Sequence, residues 1–169
     1  MEGSQPYEDY PGYFVVTLPQ SVPVEVRVEA PGAFPALWAG WTPAAPGNWL
    51  AGTLFGGDPA YMADLWVGLG FPDAAASLAG GEVVHVWGSP YDAGWDCAAV
   101  LVGGAPPRCF AFSDDGTVAE VTEGEFDYFV AFDLPPGDVV VDSGLGGVHT
   151  YPATGGEVVM AHFFVGNAT

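Results

Sequence analysis

Val22, Val24, Val26 and Val28 alternate with Pro23, Glu25, Arg27 and Glu29. A period of two puts the valines on one face and a mostly charged row on the other, the pattern of a half-buried strand. Pro23 has no amide hydrogen to give a ladder, so this strand is expected to begin at a sheet edge. A preceding strand is predicted over residues 13–18, after a polar, turn-forming stretch at residues 7–12. Residues 31–57 are rich in Pro, Gly, Ala and Trp without a sustained period. They read as a long packed connection containing short strands.

The helical signals come next. Asp58-Pro59 has the form of a cap followed by a first-turn proline. Met62, Leu65, Trp66 and Leu69 then recur at helical spacing, which marks Trp66 as a packing residue, and Gly70 ends the run. A second short helix is expected at residues 73–79, closed by Gly80-Gly81. From Glu82 the pattern becomes a meander, with strands predicted at 82–87, 97–102, 109–113, 117–121, 126–133, 138–142, 147–151 and 157–165. Turn-forming clusters such as Asp114-Asp115-Gly116, Pro135-Pro136-Gly137 and Thr154-Gly155-Gly156 separate them.

Short strands with turns every 8–12 residues predict a mainly β fold, an antiparallel β-sandwich or barrel of meander or jelly-roll type. A single β-rich domain over 1–169 is expected, with an N-terminal extension at 1–11 and a short helical insertion at 58–79. The length supports a core of its own.

Charge changes the picture of the surface. The chain has 21 acids, no lysine and two arginines, Arg27 and Arg108, for a formal charge of −19. Isoleucine is also absent, as in GC-rich coding, but that bias would favour arginine. Scarce arginine therefore points to exclusion of positive charge itself. Such a surface repels phosphates and anionic headgroups, so direct nucleic-acid or membrane binding is not expected. Half of the residues are hydrophobic and 14% aromatic, which excludes an acidic disordered tail. The composition suits high salt, where the Debye length falls to ~3 Å at 1 M, a basic protein partner steered by the acidic face, or solubility alone. Met1 to Pro6 lack a signal-peptide pattern and no apolar run reaches the ~18 residues of a spanning helix. The expected setting is soluble, in the cytoplasm or as part of an assembled particle.

Candidate chemistry is sparse. His85, His149 and His162 stand alone in apparent strands with no metal-ligand spacing. Tyr91-Asp92-Ala93-Gly94-Trp95-Asp96 sets two carboxylates four apart in a glycine-containing loop, and Asp114-Asp115-Gly116 offers two more. These are the candidates for a structural calcium, the one cofactor the sequence suggests, although the second is also ordinary hairpin-turn chemistry. Within the first, Tyr91, Asp92, Trp95 and Asp96 form a candidate binding site, and Trp95 is expected to be accessible. Trp38, Trp41, Trp49, Trp87, Tyr7, Tyr10 and Tyr151 are further candidates for a stacking surface. Glu120, Glu123, Glu125 and Asp127 read as a solvated turn and strand edge. Cys97 and Cys109 bracket a Gly103-Gly104-Ala105-Pro106-Pro107 turn that allows a disulfide, while the missing secretion signal favours free thiols. No nucleophile elbow, phosphate loop or dinucleotide motif occurs.

The sequence therefore predicts no enzyme. The leading expectation is a structural or interaction protein, a surface or virion subunit of decoration type, with protein partners or copies of itself as assembly neighbours. The alternatives are an acidic inhibitor of a basic partner (an immunity protein or nucleic-acid mimic) and a carbohydrate-binding module.

Overall fold

The computed structural model describes residues 5–6, 14–15, 23–29, 31–41, 59–90, 94–113, 115–144 and 147–163. The chain divides into two compact units, Met1–Val24 with Gly40–Leu50, and Glu25–Ala39 with Ala51–Thr169. In the first, β1 (Gln5–Pro6) pairs antiparallel with β2 (Phe14–Val15). The rest of the strand expected at 13–18, and most of the connection at 31–57, lie outside the described residues.

The second unit carries the larger structure. After the first pair the strands are β3 (Pro23–Val28), β4 (Ala36–Trp41), β5 (Val84–Pro90), β6 (Leu101–Val102), β7 (Arg108–Phe112) and β8 (Val118–Val121). They continue with β9 (Tyr128–Leu134), β10 (Gly137–Asp142), β11 (Val148–Ala153) and β12 (Val158–Phe163). The helices are α1 (Pro59–Gly68) and α2 (Ala74–Ala79). One sheet has seven strands in the order β3-β4-β12-β5-β9-β7-β8, and a second has three in the order β11-β10-β6. The fold is mainly β, with the two sheets packed together and a short helical insertion. That is the architecture the hydrophobic pattern predicts.

The core lies between the sheets. Val84, Val86, Phe129 and Val159 face inward from the larger sheet, and Val139, Val141 and Tyr151 from the smaller. Each such side chain contributes about 1.5–3 kcal/mol when fully buried. The alternation is direct: in β10, Val139 and Val141 are buried while Asp138 and Val140 are exposed.

The ladders of β5 with β9, β9 with β7, β7 with β8 and β10 with β11 and β6 are antiparallel, whereas β12 runs parallel to both β4 and β5. The last strand inserts between two earlier ones, so the meander expected from chain order does not hold there. The helical segment between β4 and β5 explains the geometry, because parallel strands need a long crossover, commonly helical. Val158, Val159, Met160 and Ala161 are all buried. This continuous apolar run belongs to a central strand covered on both faces.

The helices end as their glycines dictate. Gly70 has φ +87°, Phe71 N–H donates to the Trp66 carbonyl, and Gly70 N–H donates to that of Val67. This pair of bonds is a Schellman cap. Trp66 is fully buried, as its helical spacing predicts, and it meets Phe34, His85 and Phe132. The helices thereby cover part of the outer face of the seven-stranded sheet. Among the described residues no helix is long and apolar enough to cross a membrane.

Candidate interaction surface

The binding loop expected at residues 91–96 is not assembled as a surface where it is described. Tyr91 and Asp92 lie outside the described residues. Trp95, expected to be accessible, is 2% exposed and belongs to the core between the sheets. Its ring supplies apolar area that the short strands nearby cannot. Asp96 is committed as a cap: Oδ1 accepts from Ala98 N at 3.0 Å and from Gly124 N at 2.7 Å. This cap turns residues 97–99 into a 3-10 turn, where a strand had been expected. The turn brings Cys97 to Cys109 on β7, and the two are joined in a disulfide. Both are buried, so the bridge sits inside the core.

The other candidates for chemistry are similarly occupied. His85 is buried; Asp133 N–H donates to Nδ1 at 3.3 Å and Nε2 lies 2.8 Å from the Ala74 carbonyl. An acceptor role for Nδ1 places the proton on Nε2, which donates to Ala74. Asp133 can present its amide because it forms a bulge, with φ 57° and two residues opposing one between Val84 and Val86. Its carboxylate accepts from Ser77 Oγ at 2.6 Å. His149 is half-buried and the side chain of His162 lies outside the described residues. No cluster of three His, Cys, Asp or Glu that could hold a metal occurs among the described residues.

Several acids serve the backbone. Asp115 accepts from Thr117 N at 2.9 Å and from the Thr117 hydroxyl, bonds that hold its carboxyl below the ordinary range. Glu125 accepts from Gly94 N, Asp127 from Phe112 N and Asp142 from Gly144 N. With two cations in the whole chain, turn amides take the place of cationic partners for these carboxylates. The arginines are used internally. Arg27 Nε donates to the buried Glu157 at 3.0 Å, whose other oxygen accepts from Thr154 N at 2.6 Å. Arg108 makes a two-pronged bond to Glu120, which lowers the carboxyl and raises the guanidinium from their ordinary values. The remaining acidic charge thus has no Lys or Arg to offset it.

A row of aromatics crosses three strands of the larger sheet: the half-buried Trp87 on β5 stacks face to face with the buried Tyr128 on β9, which stacks on the buried Phe110 on β7. Their ring centroids are 4.8 and 5.3 Å apart, with interplanar angles of 6° and 17°. That spacing follows the ~4.8 Å distance between adjacent strands. Burial first, then the charge of Asp127, push the Tyr128 hydroxyl above its ordinary value. The row ends at Phe112, which tilts against Tyr128 and is 57% exposed. Opposite Phe112 stands Val118 of the edge strand β8, 41% exposed.

Of the aromatics named from sequence, Trp87 takes part in this row. Trp38, Trp95 and Tyr151 are buried, and Tyr7, Tyr10, Trp49 and the Trp41 side chain lie outside the described residues. Phe110, Phe112 and Tyr128 were missed. The period-two spacing of Phe110 and Phe112 was readable within β7, but only the pairing of β7 with β9 joins them to Tyr128 in one row.

No family model, no curated protein and no solved structure matches this chain.

Proposed function

We propose that the chain is a non-catalytic interaction protein, a subunit of a larger assembly such as a surface layer or virion. It docks through the outer face of its seven-stranded sheet where β7 and β8 meet. The observation that carries this reading is the exposed Phe112–Val118 pair at the end of the aromatic row, where β7 meets the last strand β8. Aromatic residues are enriched at interface centres because they bring large area at small entropic cost.

A second reading, an acidic inhibitor of a basic partner, is favoured by the internal pairing of both arginines. Charge then supplies steering and salt sensitivity, and the apolar pair supplies affinity. The two readings separate by salt. The immobilised chain is offered extract of its source at 50 and 500 mM NaCl, beside the Phe112→Asp variant. A stoichiometric partner retained at both salts and lost in the variant supports the assembly subunit. Capture confined to low salt supports the inhibitor. The absence of both a captured partner and self-association by sedimentation velocity would sink the interaction reading.

A further inference from the structure

Resting on that interaction reading, we propose that β8 accepts an extended cationic segment of a partner protein as an eighth strand of the sheet. Strand addition of this kind draws affinity from main-chain hydrogen bonds and specificity from alternate side chains.

The ladder fixes which backbone groups of β8 are available. Ser113 N–H donates to the Thr117 carbonyl, and Ser113, Ala111 and Cys109 oppose Thr117, Ala119 and Val121 in the antiparallel register. Hydrogen-bonded and non-hydrogen-bonded pairs alternate along such a ladder. Ala111↔Ala119 and Cys109↔Val121 are therefore the bonded pairs, and Phe112↔Val118 and Phe110↔Glu120 the non-bonded ones. Consistent with this, Phe110 O and Phe112 N bond to Asp127, on the β9 side. The amides and carbonyls of Val118 and Glu120 consequently point away from β7, and among the described residues β8 is the last strand in the order.

The side chains complete the acceptor. Val118, Ala119 and Glu120 are all exposed, so the edge is open on both faces. On the outer face an incoming apolar residue beside Val118 would cover it and Phe112. The charge selects the occupant. Residues 113–127 contain six acids (Asp114, Asp115, Glu120, Glu123, Glu125 and Asp127) and no Lys or Arg. Glu120 is paired with Arg108 of β7, and among the described residues the other acids of this segment have no arginine partner. A second copy of the chain would bring another formal charge of −19 to the same edge, and like charges opposite one another destabilise a strand pair. A segment alternating Lys or Arg with apolar residues meets both demands.

The test uses the full chain and an acetylated nine-residue peptide alternating Val and Lys. Its controls are the same peptide N-methylated at alternate residues and a Val/Glu version. On saturation, hydrogen exchange at the Val118 and Glu120 amides is expected to slow at least tenfold. The N-methylated and Val/Glu peptides leave that exchange unchanged, and raising salt weakens binding. Val118→Pro removes an outward amide without breaking a ladder bond and abolishes the protection. Phe112→Ser, which leaves the β8 backbone intact, weakens binding about tenfold. Equal affinity for parent and N-methylated peptides would overturn the proposal, as would binding without protection at Val118 and Glu120. Dimerisation of the free chain through β8 would overturn it as well. A source partner captured equally by wild type and Val118→Pro removes strand addition and leaves the interaction reading standing; no captured partner removes the reading itself.

Discussion

Arg108 grips Glu120 with two hydrogen bonds, Nε to Oε1 at 2.7 Å and Nη2 to Oε2 at 2.6 Å. The guanidinium also lies 4.4 Å from the centroid of the Phe71 ring, just beyond α1. One cation thus ties the edge hairpin β7–β8 to the helical insertion. Planar, two-pronged pairing with stacking is specific to arginine.

Because this pair lowers the folded-state value of Glu120, it adds stability above the unfolded carboxylate value near ~4.3. That share is lost as pH falls through the lower folded value. Both side chains are more than a third exposed, so the share is at most about 1 kcal/mol. Urea denaturation of wild type and Arg108→Met at pH 6 and pH 2.5 checks this. The difference between them at pH 6 should shrink at pH 2.5, whereas an equal difference at both would assign the effect to stacking.

Gly88 opposes Phe129 across β5 and β9. A Cβ at Gly88 would stand 2.1 Å from two ring atoms of Phe129 and 2.8 Å from the Ala161 carbonyl. The ring occupies the space a side chain would need, in a core with no slack. Gly88→Ala is expected to cost about 1–3 kcal/mol or more, and Phe129→Leu should recover part of it. A double-mutant cycle by chemical denaturation reads the coupling; additive costs would refute the contact.

The fold was largely legible because its signals are local. Valines at period two marked β3, the glycine-closed stretches marked α1 and α2, and turn clusters bounded the strands from β5 to β12. The placement of β12 was not local. Its unbroken Val158–Ala161 run distinguished it from the alternating strands, but only tertiary packing says which strands it separates. The aromatic row was hidden for the same reason, since Trp87, Phe110 and Tyr128 are neighbours only through the order β5-β9-β7. Trp95 misled because its Gly94 and Asp96 neighbours suggest a loop tip. Those neighbours instead bond to Glu125 and the 97–99 turn, which turns the indole inward.

His85 joins three parts of the structure through its two ring nitrogens, from β5 to α2 and to the bulge of β9. His85→Leu keeps the volume but removes the acceptor of the Asp133 amide and one of the donors to the Ala74 carbonyl, which keeps its bond from Ser77 Oγ. A cost of about 1–3 kcal/mol is expected, set by the one amide left without its partner. His85→Gln should recover some of it. Thermal unfolding of both variants checks this, and a His85→Leu protein as stable as wild type would remove the network from the account of stability.

The disulfide closes a short loop, with a sequence separation of 12 between Cys97 and Cys109. For a loop of this size the crosslink stabilises by about 3 kcal/mol, chiefly by restricting the unfolded chain. Because both cysteines are buried, dithiothreitol should reduce the native protein slowly and the denatured protein quickly. The Cys97→Ala/Cys109→Ala variant should unfold at lower urea with a larger m-value. Rapid reduction under native conditions, followed by mass shift after alkylation, would show that the bridge is not sealed in the core.

Tyr128 and Tyr151 should set the alkaline limit. Burial raises both hydroxyls above the ordinary tyrosine value, most strongly for the fully buried Tyr151. Above pH ~10 the unfolded chain sheds these protons while the folded chain keeps them. The unfolded state then binds fewer protons, so stability falls as pH rises, by up to about 1.4 kcal/mol per pH unit for each tyrosine. Below pH 10 neither contributes a slope. Denaturant midpoints at pH 8, 10 and 11 should therefore be level and then fall. Tyr151→Phe should flatten the fall, even if its absolute stability differs from wild type. An unchanged slope in that variant would show that the Tyr151 proton is not held by the fold.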